Sequence, residues 1–100
     1  MTRGAVGGPK RSVDAVDPRS TDTYKIRFRA GEVATVGVFT DGNPYLYLQV
    51  YDENSHRICT DRYDGSDALL CRWVPLWQGT FYIKIRNRSR ETGEYVLVTN

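Results

Sequence analysis

The side chains able to do covalent or acid–base chemistry are sparse. The 100-residue chain has a single histidine, His56, which follows Ser55 at the end of the turn-forming run Asp52-Glu53-Asn54-Ser55. A nucleophile and its base need a third group to orient them and a pocket to hold substrate. Nothing in the pattern supplies either, so His56 reads as a solvated loop residue. Asp61, Asp64 and Asp67 gather around Gly65, without the apolar setting that raises a carboxyl pKa. There is no Gly-x-Ser-x-Gly elbow, His-Glu-x-x-His pair or phosphate loop. Asn87-Arg88-Ser89 spells a glycosylation sequon, a three-residue match of little weight. The sequence points away from an enzyme, and no catalytic residue is assigned.

Cys59 and Cys71 lie symmetrically about Gly65. If their strands form a hairpin centred there, they stand opposite one another at a Cα separation of about 4.5 Å, near the lower limit for a disulfide. Such a bridge contributes up to roughly 3 kcal/mol and needs an oxidising compartment. The alternative is a pair of reduced thiols acting as small apolar side chains. Two cysteines and one histidine do not close a structural zinc site without added carboxylates.

Binding chemistry is better represented. From Tyr45 to Asp52 the chain alternates strictly: Leu46, Leu48 and Val50 on one side, Tyr45, Tyr47, Gln49 and Tyr51 on the other. A period of two marks a half-buried β-strand. Its outer face carries tyrosines, which offer rigid contact area with a polar tip. A row from Tyr45 to Tyr51 spans about 20 Å, a length suited to an extended polymer such as a polysaccharide or a fibrous protein. Tyr82 and Arg86 extend this surface if their strand shares the sheet. The competing reading packs the rings beneath the N-terminal segment or a neighbouring domain of the parent protein. Trp73 and Trp77, separated by Pro75, are assigned to the core and its corner.

Net charge is +2, too small by itself to argue for nucleic acid, which is not the expected partner. The cations are nevertheless clustered. Lys25, Arg27 and Arg29 crowd one segment, and Lys84, Arg86, Arg88 and Arg90 another. These are solvated strand faces or, as an alternative, a surface for a polyanion or nucleic acid.

The elements that must position these residues are strands. The chain is 40% hydrophobic and 26% charged, which suits a globular domain. Residues 1–20 contain no aromatic residue and only Val6, Val13 and Val16 as sizeable apolar side chains. That is too little burial to offset an ordering cost of roughly 1–2 kcal/mol per residue. A flexible arm or linker is expected there, with a short piece near 13–16 laid on the domain. Residues 21–100 read as a single domain of about seven to eight short strands without a helix. They are placed at 24–29, 33–39, 45–52, 57–62, 69–74, 81–86 and 95–99, separated by glycine, proline and aspartate turns. That spacing argues for an all-β antiparallel sandwich. No apolar run approaches the roughly 20 residues of a membrane-spanning helix, and a monomer is expected. The N-terminal residues lack the apolar segment of a secretory signal; either the protein is cytosolic or its export signal lies upstream.

The order of motifs resembles a known module: Ala30-Gly31-Glu32, Leu46 to Asn54, Trp73-Val74-Pro75, Gly79 to Ile83, and Tyr95-Val96-Leu97. This stretch, about 23–100, resembles the bacterial pre-peptidase C-terminal domain family, whose relatives include the collagen-binding domains of clostridial collagenases. The resemblance implies a jelly-roll-like sandwich on a secreted, periplasmic or cell-surface protein, accessory and non-catalytic. Some such relatives bind calcium or a fibrous substrate. This chain departs from the family where two aspartates usually stand, at Tyr45 and Tyr47, and where a glycine is replaced by Ser55. Calcium wants six to eight oxygens, and only weak candidates remain, chiefly Asp41, Asp52 and Asn54, so no cofactor is expected. The resulting reading is a non-catalytic module for adhesion, substrate targeting or domain docking. A spacer or folding-assistance domain without a ligand is the alternative.

Overall fold

The computed structural model describes residues 4–40, 45–62 and 68–100. Within them lie eight strands: β1 (Lys10–Val16), β2 (Thr21–Phe28), β3 (Ala34–Phe39), β4 (Leu46–Tyr51), β5 (Arg57–Arg62), β6 (Ala68–Trp73), β7 (Gly79–Asn87) and β8 (Gly93–Thr99). No described residue is helical, and no helix long and apolar enough to cross a membrane occurs among them. The strands form two four-stranded sheets, ordered β1-β8-β3-β6 and β2-β7-β4-β5. Every pairing is antiparallel.

This order is that of a jelly roll. Only β4 and β5 follow one another within a sheet; every other connection crosses between layers. The reason is visible in each strand's alternation. Val36 and Val38 of β3, Leu46, Leu48 and Val50 of β4, and Ile83 and Ile85 of β7 are fully buried, at 0% exposure. Each strand thus has one apolar face to hide, and two sheets facing one another hide all of them. At one end of the core the Phe28, Trp73 and Phe81 rings meet edge-on or tilted, with centroids 5.1–5.9 Å apart, a spacing that adds to their burial.

The structure corrects two expectations. First, residues 1–20 are not a flexible arm over their described part. Lys10 to Val16 pair residue for residue with β8, and Val6 N–H donates to the Arg27 carbonyl at 2.8 Å. Few apolar side chains suffice here because this edge strand is held mainly by its backbone. Six of its seven side chains are exposed or half-buried, and only Val16 reaches the core. Gly4 and Ala5 close the same end against β2 and the C-terminus. A side chain at Gly4 would meet the Val33 carbonyl and Ala34 Cα at 2.8 Å, so only glycine fits.

Second, β5 and β6 do not form a hairpin. They are edge strands of different sheets, because this connection crosses between layers. Residues 63–67, which include the expected turn at Gly65, lie outside the described residues. Cys59 and Cys71 are nevertheless bonded, with Cα atoms 5.9 Å apart. The bridge joins the edge of one sheet to the edge of the other. We expect its removal by Cys59→Ser/Cys71→Ser to cost about 3 kcal/mol, read as a lower urea midpoint at unchanged slope; reductant should do the same to the native chain. An unchanged midpoint would show that the two edges hold without it.

Candidate functional site

In the second sheet β4 lies between β7 and β5. Since Leu46, Leu48 and Val50 face the core, Tyr47, Gln49 and Tyr51 must face outward. Register then places their neighbours. Arg86 and Arg62 flank Tyr47, Lys84 and Thr60 flank Gln49, and Tyr82 and Arg57 flank Tyr51. From β2, Thr21, Thr23 and Lys25 extend these rows beyond Arg86, Lys84 and Tyr82. The structure therefore brings Tyr47, Gln49, Tyr51, Tyr82 and Arg86 onto one face. Tyr45 precedes the strand, 55% exposed, and its carbonyl accepts the Arg88 N–H at 3.0 Å.

Cations cover these rings. Lys84 Nζ lies 4.8 Å from the Tyr51 centroid, and Lys25 Nζ lies 5.9 Å from that of Tyr82. The Arg62 and Arg88 guanidiniums stand 5.1 and 5.5 Å from the Tyr47 centroid, and Arg88 also donates to the Tyr47 hydroxyl. Each such contact contributes about 0.5–1 kcal/mol at an exposed site. Sequence reasoning missed Arg62, because only the β4–β5 register sets it opposite Tyr47. Arg29 and Arg90, expected among the basic cluster, lie beyond the ends of β2 and β7.

The carboxylates of these strands are turned away. Asp61 accepts the Leu70 N–H of the other sheet at 2.8 Å, and Asp22 accepts the Tyr95 hydroxyl at 2.7 Å. Glu53 accepts the Thr80 N–H at 2.7 Å. Asp52 Oδ1 accepts the N–H groups of Asn54 and His56, each at 2.9 Å. Those bonds, that of His56 foremost, hold the Asp52 carboxyl below its usual range. Its second oxygen lies 3.3 Å from His56 Nδ1, on a histidine side chain 75% exposed. Of the calcium candidates, Asp52 is thus engaged in shaping its own turn, Asn54 is exposed, and Asp41 lies outside the described residues. Among the described residues no three His, Cys, Asp or Glu side chains converge as a metal site.

Trp73 packs on Phe28 and Phe81 as expected. Trp77 does not join the core: it is 55% exposed beside Leu76 at 86%. The corner that begins at Pro75 carries it outward. Asn87 of the sequon is buried, and its amide donates to the carbonyls of Val16 at 3.2 Å and Glu91 at 2.6 Å. It serves the β7–β8 loop.

No family model matches the chain, and no curated protein matches its sequence. Solved structures do share its architecture. The pre-peptidase C-terminal domain of collagenase from Bacillus anthracis superposes with a TM-score of 0.69, covering 98% of this chain and 90% of that one at 12% identity. The chain has the fold of a pre-peptidase C-terminal domain. The same fold occurs in Aeromonas hydrophila PliG, a periplasmic inhibitor of g-type lysozyme, with a TM-score of 0.68, 97% and 86% coverage and 15% identity. It occurs also in the Yersinia pseudotuberculosis-derived mitogen, with a TM-score of 0.72, 93% and 85% coverage and 13% identity. At such identities the likeness is of fold alone.

Behind the face a polar chain ties the two sheets together. Tyr24 donates to the Tyr95 hydroxyl at 2.6 Å, and Tyr95 donates to Asp22. Burial, then the Tyr24 and Asp22 bonds, hold the Tyr95 phenol protonated far above the usual tyrosine range. In the unfolded chain it ionises near pH 10. Its contribution to stability is therefore complete below about pH 10 and is lost as pH rises beyond that. We expect Tyr95→Phe to cost about 1–2 kcal/mol at neutral pH by leaving Asp22 without its donor. The decline of the urea midpoint above pH 10 should also become shallower than in the native chain. Equal decline in both would show that Tyr95 is not the group responsible.

Proposed function

We propose that the chain is a non-catalytic binding module of an exported protein, and that it holds an extended polymer on the outer face of the second sheet. The observation that carries this reading is the gathering of Tyr47, Tyr51, Tyr82, Gln49 and Arg86 on that face, contributed by two adjacent strands. Tyrosine rings in rows, with cations laid over them, give broad contact through ring edges, hydroxyls and charge at low ordering cost. The outer face of a sheet suits a partner that lies along it. The Cys59–Cys71 bond supports an oxidising compartment, since such bonds are rare in the cytosol. The shared fold of a collagenase domain and a periplasmic inhibitor is in keeping with export. Adhesion and substrate targeting are the roles such a face would serve.

The test is co-sedimentation with insoluble polymers, including fibrillar collagen and neutral and acidic polysaccharides. Tyr47→Ala with Tyr82→Ala should reduce retention at least tenfold while the melting temperature stays within a few degrees of the native value. Retention that survives both changes would remove this face from the account and leave the domain as a spacer or as a binder through another surface.

A further inference from the structure

We infer that the polymer taken by this face is an acidic polysaccharide, held through its carboxylate or sulfate groups and its hydroxyls together. This rests on the reading of the face as a binding surface and narrows it to one ligand chemistry.

The charge projecting outward from the strands of the face is of one sign, with Asp52 and Glu53 at its end beside Tyr51, Tyr82 and Lys84. Lys25, Arg27, Lys84, Arg86 and Arg62 project from its strands, and Arg88 folds back over Tyr47 from the end of β7. The four strands contain two carboxylates, Asp22 and Asp61, and both are bonded to the opposite sheet. The net charge of +2 conceals this separation. Successive outward positions lie about 7 Å apart along a strand, and neighbouring strands about 4.8 Å apart. Cations so spaced match anionic groups carried on successive or alternate sugars. Their positions are partly set before binding, because ring contacts hold Lys25, Lys84, Arg62 and Arg88. That lowers the ordering cost on binding.

Gln49 at the centre of the face specifies more than charge. It is 9% exposed, and its Oε1 is buried without a hydrogen-bond donor among the described residues. An unsatisfied buried acceptor costs about 1–3 kcal/mol. Carboxylate, sulfate and phosphate oxygens cannot donate to it; a sugar hydroxyl can, once the side chains that cover Oε1 part to admit it. A ligand that satisfies both Gln49 and the surrounding cations carries hydroxyls and anions on one chain. Nucleic acid fits less well. Single strands are held by stacking bases on open aromatic faces, whereas here cations already stand over Tyr47, Tyr51 and Tyr82.

The experiment measures affinity of the disulfide-bonded chain for polygalacturonate, heparin, neutral amylose, inorganic polyphosphate and oligo-dT. We expect polygalacturonate and heparin to bind tightest, and their affinity to fall at least about tenfold between 50 and 200 mM salt. Lys84→Ala with Arg62→Ala should weaken both by a further tenfold or more; Arg88→Ala, on the loop, gives the same direction if the double variant fails to fold. Gln49→Leu should weaken the polysaccharides severalfold and leave polyphosphate unchanged. Oligo-dT or polyphosphate bound as tightly as the polysaccharides would overturn the inference. Salt-insensitive binding of amylose or collagen that Tyr47→Ala abolishes would also overturn it, while sustaining the face as a binding surface. Retention of none of these polymers would overturn both.

Discussion

Burial of Leu46, Leu48 and Val50 between the sheets is the constraint on which the binding face depends. All three are fully inaccessible, and each such side chain contributes about 1.5–3 kcal/mol. Together they rival the whole net stability of a domain this size. Slipping β4 by one residue against β7 and β5 would turn all three into water and bring Tyr47 and Tyr51 into the core. The register is therefore fixed by the aliphatic side, and the tyrosines stand where they do because the aliphatics leave them nowhere else. Phe81, Ile83 and Ile85 fix β7 in the same way, which sets Tyr82, Lys84 and Arg86 beside them.

The two outer surfaces of the sandwich differ in consequence. That of the first sheet exposes apolar side chains, with Val13 at 65%, Phe39 at 48% and Leu70 at 51%. That of the second exposes cations lying on tyrosine rings. The separation of charge arises inside the fold as much as on it. Asp22 is drawn inward to Tyr95 and Asp61 across to β6, so each carboxylate ties the layers together while leaving the outer face basic. The disulfide reinforces the same arrangement by joining β5 to β6 at the edges.

Much of this was legible in the alternation of residue types. The expected strands correspond to β2 through β8, and the aliphatic side of Leu46, Leu48 and Val50 is buried as expected. Tyr82 and Arg86 could be tied to Tyr47 and Tyr51 only conditionally, because side-chain period reports which face a residue takes and not which strand lies beside it. The same limit hid Arg62. It also left a hairpin of β5 and β6 open, since symmetry about Gly65 looks the same whether the connection turns within a sheet or crosses between two. Of β1 only the piece at 13–16 was expected, for another reason. An edge strand needs a partner's free N–H and C=O groups more than it needs apolar side chains, and Lys10 to Val16 carries few of these.

Whether the aliphatic side of β4 fixes the tyrosine face is read from the register of β4, through long-range nuclear Overhauser contacts in solution. Contacts are expected between the Tyr51 and Tyr82 rings and between the Leu48 and Ile85 methyl groups, with no Tyr47 ring contact to Leu97. Tyr47 or Tyr51 rings in contact with Leu97 or Val36, with Leu48 accessible to a soluble paramagnetic probe, would contradict that register.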